Sequence, residues 1–140
     1  MTSTNRNKEL VRRFYEQVVA GGHVELLETL AASNMIDHTA AEAGWPEGRA
    51  GFVQHVKWVH GAITDRDVSV DDLVAEGDRV VAFWTLNGVH SGEFFGVPAT
   101  GKQISATAVS VLTIEDDQIA EYVVRPDVLS LLQQLGAFPS

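Results

Sequence analysis

The chain has 140 residues, which suffices for a hydrophobic core, and we expect residues 1–140 to form a single domain. Hydrophobic residues make up 45% of the sequence and charged residues 21%, a globular composition that excludes a disordered chain. The formal net charge of −9 repels nucleic-acid phosphates and anionic lipid head groups, so we expect neither a nucleic acid nor a membrane as a partner. Cysteine is absent, which excludes disulfides, thiolate metal sites and cysteine nucleophiles.

The beginning of the chain carries no visible targeting signal. Residues 1–13 are polar and basic and lack the apolar stretch of a secretory signal. The most apolar run, residues 80–84, is far shorter than the roughly 18 residues that suggest a membrane span. These features predict a cytoplasmic protein.

Three helices are predicted in the N-terminal half. Apolar residues recur every three to four positions before Gly21-Gly22, which predicts an amphipathic helix over residues 5–20. A shorter helix is predicted over 23–32, followed by an extended piece over 35–38 and a loop. The third helix is predicted over 47–63, and its inner apolar stripe consists of Phe52, Val56, Val59 and Ile63.

From Asp67 onward the apolar period changes to two, which predicts β-strands. The first strand ends at the turn Glu76-Gly77-Asp78. The remaining elements are strands over 79–91, 102–115 and 118–125 and a short helix over 127–135. Helices followed by long antiparallel strands predict an α+β fold in which the helices cover one face of a curved sheet.

Strict alternation along unbulged strands sorts the side chains of this sheet onto two faces. The face that the helices cover receives Ala120, Tyr122 and Val124 of the last strand. The opposite face is also apolar, and its members are Val81, Phe83, Val109, Val111, Thr113 and Val123. Because apolar side chains on both faces require burial, we expect the second face to form the interface of a homodimer or a dimer of dimers.

Two stretches of the sequence, residues 73–85 and 88–102, resemble the SnoaL-like polyketide cyclase family. Other motifs similar to that family are Phe14-Tyr15, Ile36-Asp37-His38 and the segment from Asp127 to Gly136. The resemblance covers nearly the whole chain. It implies a cone-shaped α+β fold, as in ketosteroid isomerase, in which three N-terminal helices close a strongly bent antiparallel sheet around a deep apolar pocket. It also implies cytoplasmic dimers or tetramers that use no metal and no organic cofactor.

The same resemblance bears on the catalytic group. In these polyketide cyclases an aspartate on the last strand is the general acid/base of an intramolecular aldol closure, and polar partners on the adjoining strand help to bind the substrate. Alignment on Pro126-Asp127 implies that Val124 takes the place of this aspartate. Ala108 and Ser110 fall where those cyclases carry an amide and an imidazole. The resemblance therefore implies a retained scaffold with altered chemistry.

Proton transfer in an apolar pocket requires a polar group within it. Asp37 and His38, at the end of a short strand, are the predicted acid/base pair, and the alternative is a pair that caps a helix or tethers a loop. Tyr122 is the third predicted catalytic residue, because its hydroxyl can donate a hydrogen bond to a ligand carbonyl or enolate. The alternative for Tyr122 is a core tyrosine bonded to the backbone.

The predicted substrate-binding residues are mostly aromatic, because aromatic walls suit planar polycyclic ligands. They are Trp84, Trp45, Trp58, His55, Ser110 and Val124. Trp84 faces inward by strand parity, and Trp45 precedes the third helix as a potential lid. His55 adjoins the inner stripe of that helix, whereas Ser110 can equally be a small core residue.

Two functions remain open from the sequence. The first is a cofactor-free cyclase, or a related lyase, hydrolase or isomerase, that acts on an apolar polyketide-like or terpenoid carbonyl compound. The second is a non-catalytic binding protein for a hydrophobic small molecule, which the valine at position 124 favours.

Overall fold

The computed structural model describes residues 2–139. The opening helix α1, Ser3–Arg13, begins at Thr2, whose side chain accepts a hydrogen bond from the Asn5 N–H. The chain then continues as a π-helix over Phe14–Ala20. In this wider winding Phe14, Tyr15, Val18 and Val19 are all buried. Two neighbouring aromatic side chains thereby reach the core together.

The other helices are short except for one. A 3₁₀ turn, Val24–Leu26, leads into α2, Leu27–Leu30. Helix α3, His38–Ala43, lies where the sequence predicted a loop, and α4, Arg49–Ala62, is the predicted third helix. The C-terminal helix α5, Val128–Gln134, begins at Asp127, whose side chain accepts from the Ser130 N–H.

Five strands form one mixed sheet in the order β1-β5-β4-β3-β2. Their bounds are β1 Ala31–Asp37, β2 Ile63–Glu76, β3 Arg79–His90, β4 Gln103–Glu115 and β5 Gln118–Pro126. Strands β2 to β5 are antiparallel, as predicted, whereas β1 runs parallel to β5. The α+β prediction is confirmed, with the correction that the sheet is not wholly antiparallel.

Strict alternation fails at one end of β5. The register shifts there, so that Ile119 pairs with Ile114 and Glu121 with Thr113, which leaves Ala120 as an extra residue. Ile119 is fully buried, and it, not Ala120, occupies the inner face. Beyond this bulge the inner face receives Tyr122.

Two basic side chains bind the carboxyl end of the π-helix. His60 Nε2 donates to the carbonyl oxygens of Val18 and Val19 at 3.0 and 3.1 Å, and Arg66 Nε donates to that of Val19 at 3.1 Å. His60 is therefore partly buried. Burial, followed by the nearby Arg66 charge, lowers the pKa of His60.

This arrangement predicts a pH dependence of folding. Since the pKa of His60 is lower in the folded protein than in the unfolded chain, the unfolded chain binds more protons, and stability should fall as the pH drops below about 6.5. The free energy of unfolding in urea at pH 7.5 and 5.5 measures the effect. His60→Gln, which keeps a donor that does not titrate, should lose less stability over this interval than the wild type. An equal loss in both proteins would contradict this assignment.

Within residues 2–139 no helix is both long and apolar enough to cross a lipid bilayer.

Candidate active site

A chamber of about 490 Å³ lies between the helices and the inner face of the sheet. This volume falls in the range of pockets that bind small molecules. Its walls are mainly apolar and aromatic, with members that include Phe14, Phe52, Trp58, Trp84, Val124 and Leu131. The π-helix supplies Phe14 and Val19 to this wall. The chamber therefore suits a ligand with large apolar surfaces.

His55 is the imidazole in the chamber wall, and a buried carboxylate orients it. Asp37 ends β1 and begins α3, where its Oδ1 accepts from the Thr39 N–H at 3.0 Å. Its Oδ2 lies 2.8 Å from Nδ1 of His55 on α4. The Asp37 side chain is 0% exposed and that of His55 10%. Because the Asp37 oxygen accepts the Nδ1 hydrogen, Nε2 of neutral His55 is left free to accept a proton.

His38, next to Asp37 in sequence, has a different partner. Its Nε2 lies 2.6 Å from Oε2 of Glu121 on β5. These two side chains are 43% and 42% exposed, and neither residue lines the chamber. The structure thus separates the predicted acid/base pair, bringing Asp37 to His55 and His38 to Glu121.

Tyr122 lines the chamber and belongs to a buried hydrogen-bond chain. Trp84 Nε1 donates to Ser110 Oγ at 2.9 Å, and Ser110 Oγ donates to the Tyr122 hydroxyl at 3.2 Å. The Tyr15 hydroxyl lies 3.3 Å from that of Tyr122. Burial raises the pKa of Tyr122 to about 12, so its phenol remains protonated at neutral pH. A protonated phenol in the wall is a hydrogen-bond donor.

His55 and Tyr122 are neighbours, with ring centroids 6.0 Å apart. A proton acceptor and a hydrogen-bond donor therefore face one apolar space. This is the pair of groups that enolisation of a carbonyl compound requires. Among residues 2–139 no group of three or more histidine, aspartate or glutamate side chains is placed to hold a metal ion.

Comparison with known proteins places the chain in a family. The sequence model of the SnoaL-like polyketide cyclase family matches residues 9–135. The chain belongs to this family. Nogalonic acid methyl ester cyclase from Streptomyces nogalater is 27% identical over 116 residues, which cover 82% of this chain and 87% of that protein. Aklanonic acid methyl ester cyclase DnrD from Streptomyces peucetius is 27% identical over 130 residues, 91% of this chain and 89% of that protein.

Solved structures agree with this assignment. TsrD from Streptomyces laurentii superimposes with a TM-score of 0.88 at 26% identity, covering 99% of this chain and 100% of that chain. Wild-type IdmH from Streptomyces antibioticus gives a TM-score of 0.78 at 30% identity, with 93% and 98% covered. The five-stranded sheet and N-terminal helices are thus the fold of this SnoaL-like family member.

The remaining predicted site residues occupy different positions around the chamber of this family member. Trp84, Trp58 and Val124 line it. Ser110 is fully buried behind the wall, where it connects Trp84 to Tyr122. Trp45 stands outside the lining, with its ring 5.8 Å from that of His55. Val124 places a hydrocarbon side chain on β5, so position 124 itself offers no proton donor or acceptor.

The chamber wall includes an aromatic turn that the sequence did not predict. Phe94 and Phe95 line the chamber and contact Trp58, with ring centroids 4.7 and 5.2 Å away. Phe94 and Val97 exchange backbone hydrogen bonds across Phe95 and Gly96, which both have positive φ, 48° and 78°. Positive φ is unusual for a bulky residue. Two adjacent phenylalanines in a glycine-rich loop are the signal that could have identified this turn.

Phe95→Asn separates strain from ligand contact, because asparagine tolerates positive φ. Relief of about 1 kcal/mol of strain should offset the lost packing, leaving the free energy of unfolding nearly unchanged. Affinity for the fluorescent dye 1-anilinonaphthalene-8-sulfonate should fall about 5- to 30-fold, because the lost contact with an aromatic ring costs about 1–2 kcal/mol. Fluorescence titration measures this. Phe138→Asn, at an exposed position outside the lining, is the control; equal dye affinity in all three proteins would contradict the role of Phe95.

Proposed function

We propose that this chain is a cofactor-free cyclase that closes a ring in an apolar, polyketide-like substrate by an intramolecular aldol reaction. His55 is the general base, Asp37 is its positioning residue, and Tyr122 donates a hydrogen bond to the developing oxyanion. The observation that carries the proposal is the 2.8 Å contact between the buried Asp37 carboxylate and the imidazole that lines the chamber. The cyclase activity named for two relatives supports the reaction class.

The proposed reaction uses only groups of this chain and of the substrate. His55 Nε2 accepts a proton from a carbon next to a carbonyl, and the electron pair moves onto the carbonyl oxygen, which Tyr122 hydrogen-bonds. The enolate carbon then attacks a second carbonyl carbon of the same molecule and forms the new C–C bond. The imidazolium returns its proton to the resulting alkoxide. Substrate and product have the same composition, so the reaction needs no oxidant, reductant or co-substrate.

The apolar wall contributes by holding the substrate folded. A ring closes when the two reacting carbons are kept near attack distance, and such positioning lowers the barrier without any further charged group. In this proposal His55, on the helix side of the chamber, supplies the base, and Val124 on β5 only shapes the wall.

The compounds in the names of the two relatives provide the test. Nogalonic acid methyl ester and aklanonic acid methyl ester are incubated with the protein and analysed by liquid chromatography and mass spectrometry. A product of unchanged mass and altered retention supports the cyclase. Tight binding with complete recovery of the unchanged ester favours the alternative, a non-catalytic binding protein. If the protein neither converts nor binds the two esters, that result would contradict a polyketide-like ligand.

We also propose that the outer face of the sheet joins two copies of the chain. Val74, Val81, Val111 and Val123 form one row across β2, β3, β4 and β5, and none of the four belongs to the buried core. Val74 is 53% exposed, and Phe83 in the adjacent row is 41% exposed. A second copy would cover this continuous apolar row with the same row of its own.

Val111→Lys should convert the dimer to a monomer, because it places a charge in the middle of the row. Sedimentation velocity at micromolar concentration measures the change, and Leu129→Lys, at an exposed position on α5, is the control that should remain dimeric. A monomeric wild type would refute the proposed interface.

A further inference from the structure

Behind the chamber wall, the direction of the buried hydrogen-bond chain can be read from the chemistry of its members. The indole N–H of Trp84 can only donate, so Ser110 Oγ, 2.9 Å away, accepts. The remaining Ser110 hydrogen is donated to the Tyr122 oxygen at 3.2 Å. Tyr122 thus receives one hydrogen bond and still has its own hydrogen to place.

Two arrangements of the last pair are possible, because either hydroxyl can be the donor across the 3.3 Å between Tyr15 and Tyr122. If Tyr122 donates, the hydrogen of Tyr15 has only Ser110 Oγ nearby, which already accepts from Trp84 and forms no hydrogen bond of good geometry with Tyr15 among the described residues. Tyr15 is 0% exposed, so water cannot accept it either. A buried donor without a partner costs about 1–3 kcal/mol.

If Tyr15 donates instead, both donors behind the wall are satisfied. The Tyr122 oxygen then accepts from Ser110 and from Tyr15, and its own hydrogen is the one left over. Tyr122 lines the chamber, where a bound ligand can accept that hydrogen, whereas Tyr15 does not line it. The unsatisfied donor is thus moved from the closed core to the ligand space.

We infer that Tyr15 is a positioning residue, which donates to the Tyr122 oxygen and so keeps the Tyr122 hydrogen directed to a substrate oxyanion. This inference rests on the donor role of Tyr122 in the proposed function. The accepted hydrogen bonds from Ser110 and Tyr15 also make the Tyr122 phenol a stronger donor, because they stabilise negative charge on its oxygen. In agreement with this, the hydrogen bonds to Ser110 and Tyr15 each lower the pKa of Tyr122, whereas burial raises that pKa.

The position of Tyr15 in the fold is consistent with a precise orientation. Its ring packs against Trp84 and Phe14 with centroid distances of 4.8 and 4.9 Å. The hydroxyl is therefore fixed by two aromatic neighbours, one of which is also the first donor of the chain. Removing only the oxygen, as in Tyr15→Phe, leaves these ring contacts in place.

The test measures the binding of 2-naphthols that differ in the acidity of their hydroxyl, by isothermal titration at neutral pH. In the wild type, affinity should rise with the acidity of the naphthol, because a larger fraction is ionised at neutral pH and a naphtholate oxygen accepts the Tyr122 hydrogen more strongly than a neutral hydroxyl does. Tyr15→Phe should flatten this dependence and weaken binding of the most acidic naphthol about 3- to 10-fold, the effect of one hydrogen bond. Tighter binding in Tyr15→Phe would overturn the inference, because it would mean that Tyr122 donates to Tyr15. Unchanged binding would overturn it as well.

Two further measurements separate the possible failures. Naphthalene, which lacks the hydroxyl, should bind wild type and variants equally, and a loss there would report damage to the chamber instead. Tyr122→Phe should abolish the dependence of affinity on naphthol acidity. If the dependence persists in this variant, the donor role of Tyr122 is refuted. If it disappears in Tyr122→Phe while Tyr15→Phe binds like the wild type, only the role of Tyr15 is refuted. Should Tyr15→Phe not fold, Ser110→Ala removes the other hydrogen bond to the Tyr122 oxygen and should weaken acidic naphthols in the same direction.

Discussion

His55→Gln should slow ring closure by about 10²- to 10⁴-fold, the contribution expected of a general base. Glutamine fills a similar volume and retains a side-chain amide that can donate to Asp37, but it cannot accept a proton from carbon. The fold should therefore be preserved while the reaction is lost. The first measurement is the initial rate of ring closure with the methyl ester that the wild type converts. A second assay tests proton abstraction alone: it follows the exchange of the acidic hydrogen of 2-acetyl-1-tetralone with deuterated water.

His38→Gln is the matched control for this experiment. His38 follows Asp37 directly, but its side chain pairs with Glu121 and does not line the chamber. Its replacement should leave the rate unchanged. The opposite result, a slow His38→Gln and a normal His55→Gln, would refute His55 as the base and return the role to the pair that the sequence suggested.

Tyr122→Phe should lower kcat by about 10²- to 10³-fold and change KM much less. The reason is that the hydroxyl hydrogen-bonds the oxyanion, which is present only after the proton has left carbon, so the interaction stabilises the transition state more than the bound substrate. Steady-state kinetics with the same ester measure the two constants separately.

The control for Tyr122 is Thr107→Val, which removes a hydroxyl from an exposed residue of β4, outside the buried chain. It should leave kcat unchanged. The thermal unfolding of both variants should also be measured, because Tyr122→Phe removes the hydrogen bonds to Ser110 and Tyr15 as well. If Tyr122→Phe instead raises KM and leaves kcat unchanged, Tyr122 only binds the substrate and does not stabilise the oxyanion.

Elements with a strong hydrophobic period could be predicted closely from the sequence. The strand predicted over 79–91 is Arg79–His90, and the helix predicted over 47–63 is Arg49–Ala62. In both, the period alone determines which side chains face the core. By contrast, residues 31–32 of β1 were predicted as the end of a helix, because residues 31–34 are small and have no apolar period of two. This strand depends on pairing with β5, which lies far away in the chain.

The candidate site was predictable in its components and not in its pairings. Asp37 and His55 could each be named from the sequence, and the spacing of His55 three residues after Phe52 places it on the inner side of α4. Their contact could not be predicted, because it depends on how β1 turns into α3. That turn sends the side chains of Asp37 and His38 to different partners. Tyr15 was missed since helical periodicity does not distinguish a core tyrosine from a functional one.

The π-helical winding of Phe14–Ala20 has a consequence for sequence change in this protein. Its hydrogen bonds, such as that from the Gly21 N–H to the Glu16 carbonyl, span one residue more than those of an α-helix. Deleting a single residue from this segment would allow ordinary α-helical winding and would rotate the preceding aromatic side chains away from their present directions. Phe14 and Tyr15 would then turn out of register with the sheet. This stretch should therefore tolerate exchange of one apolar residue for another far better than any change in its length.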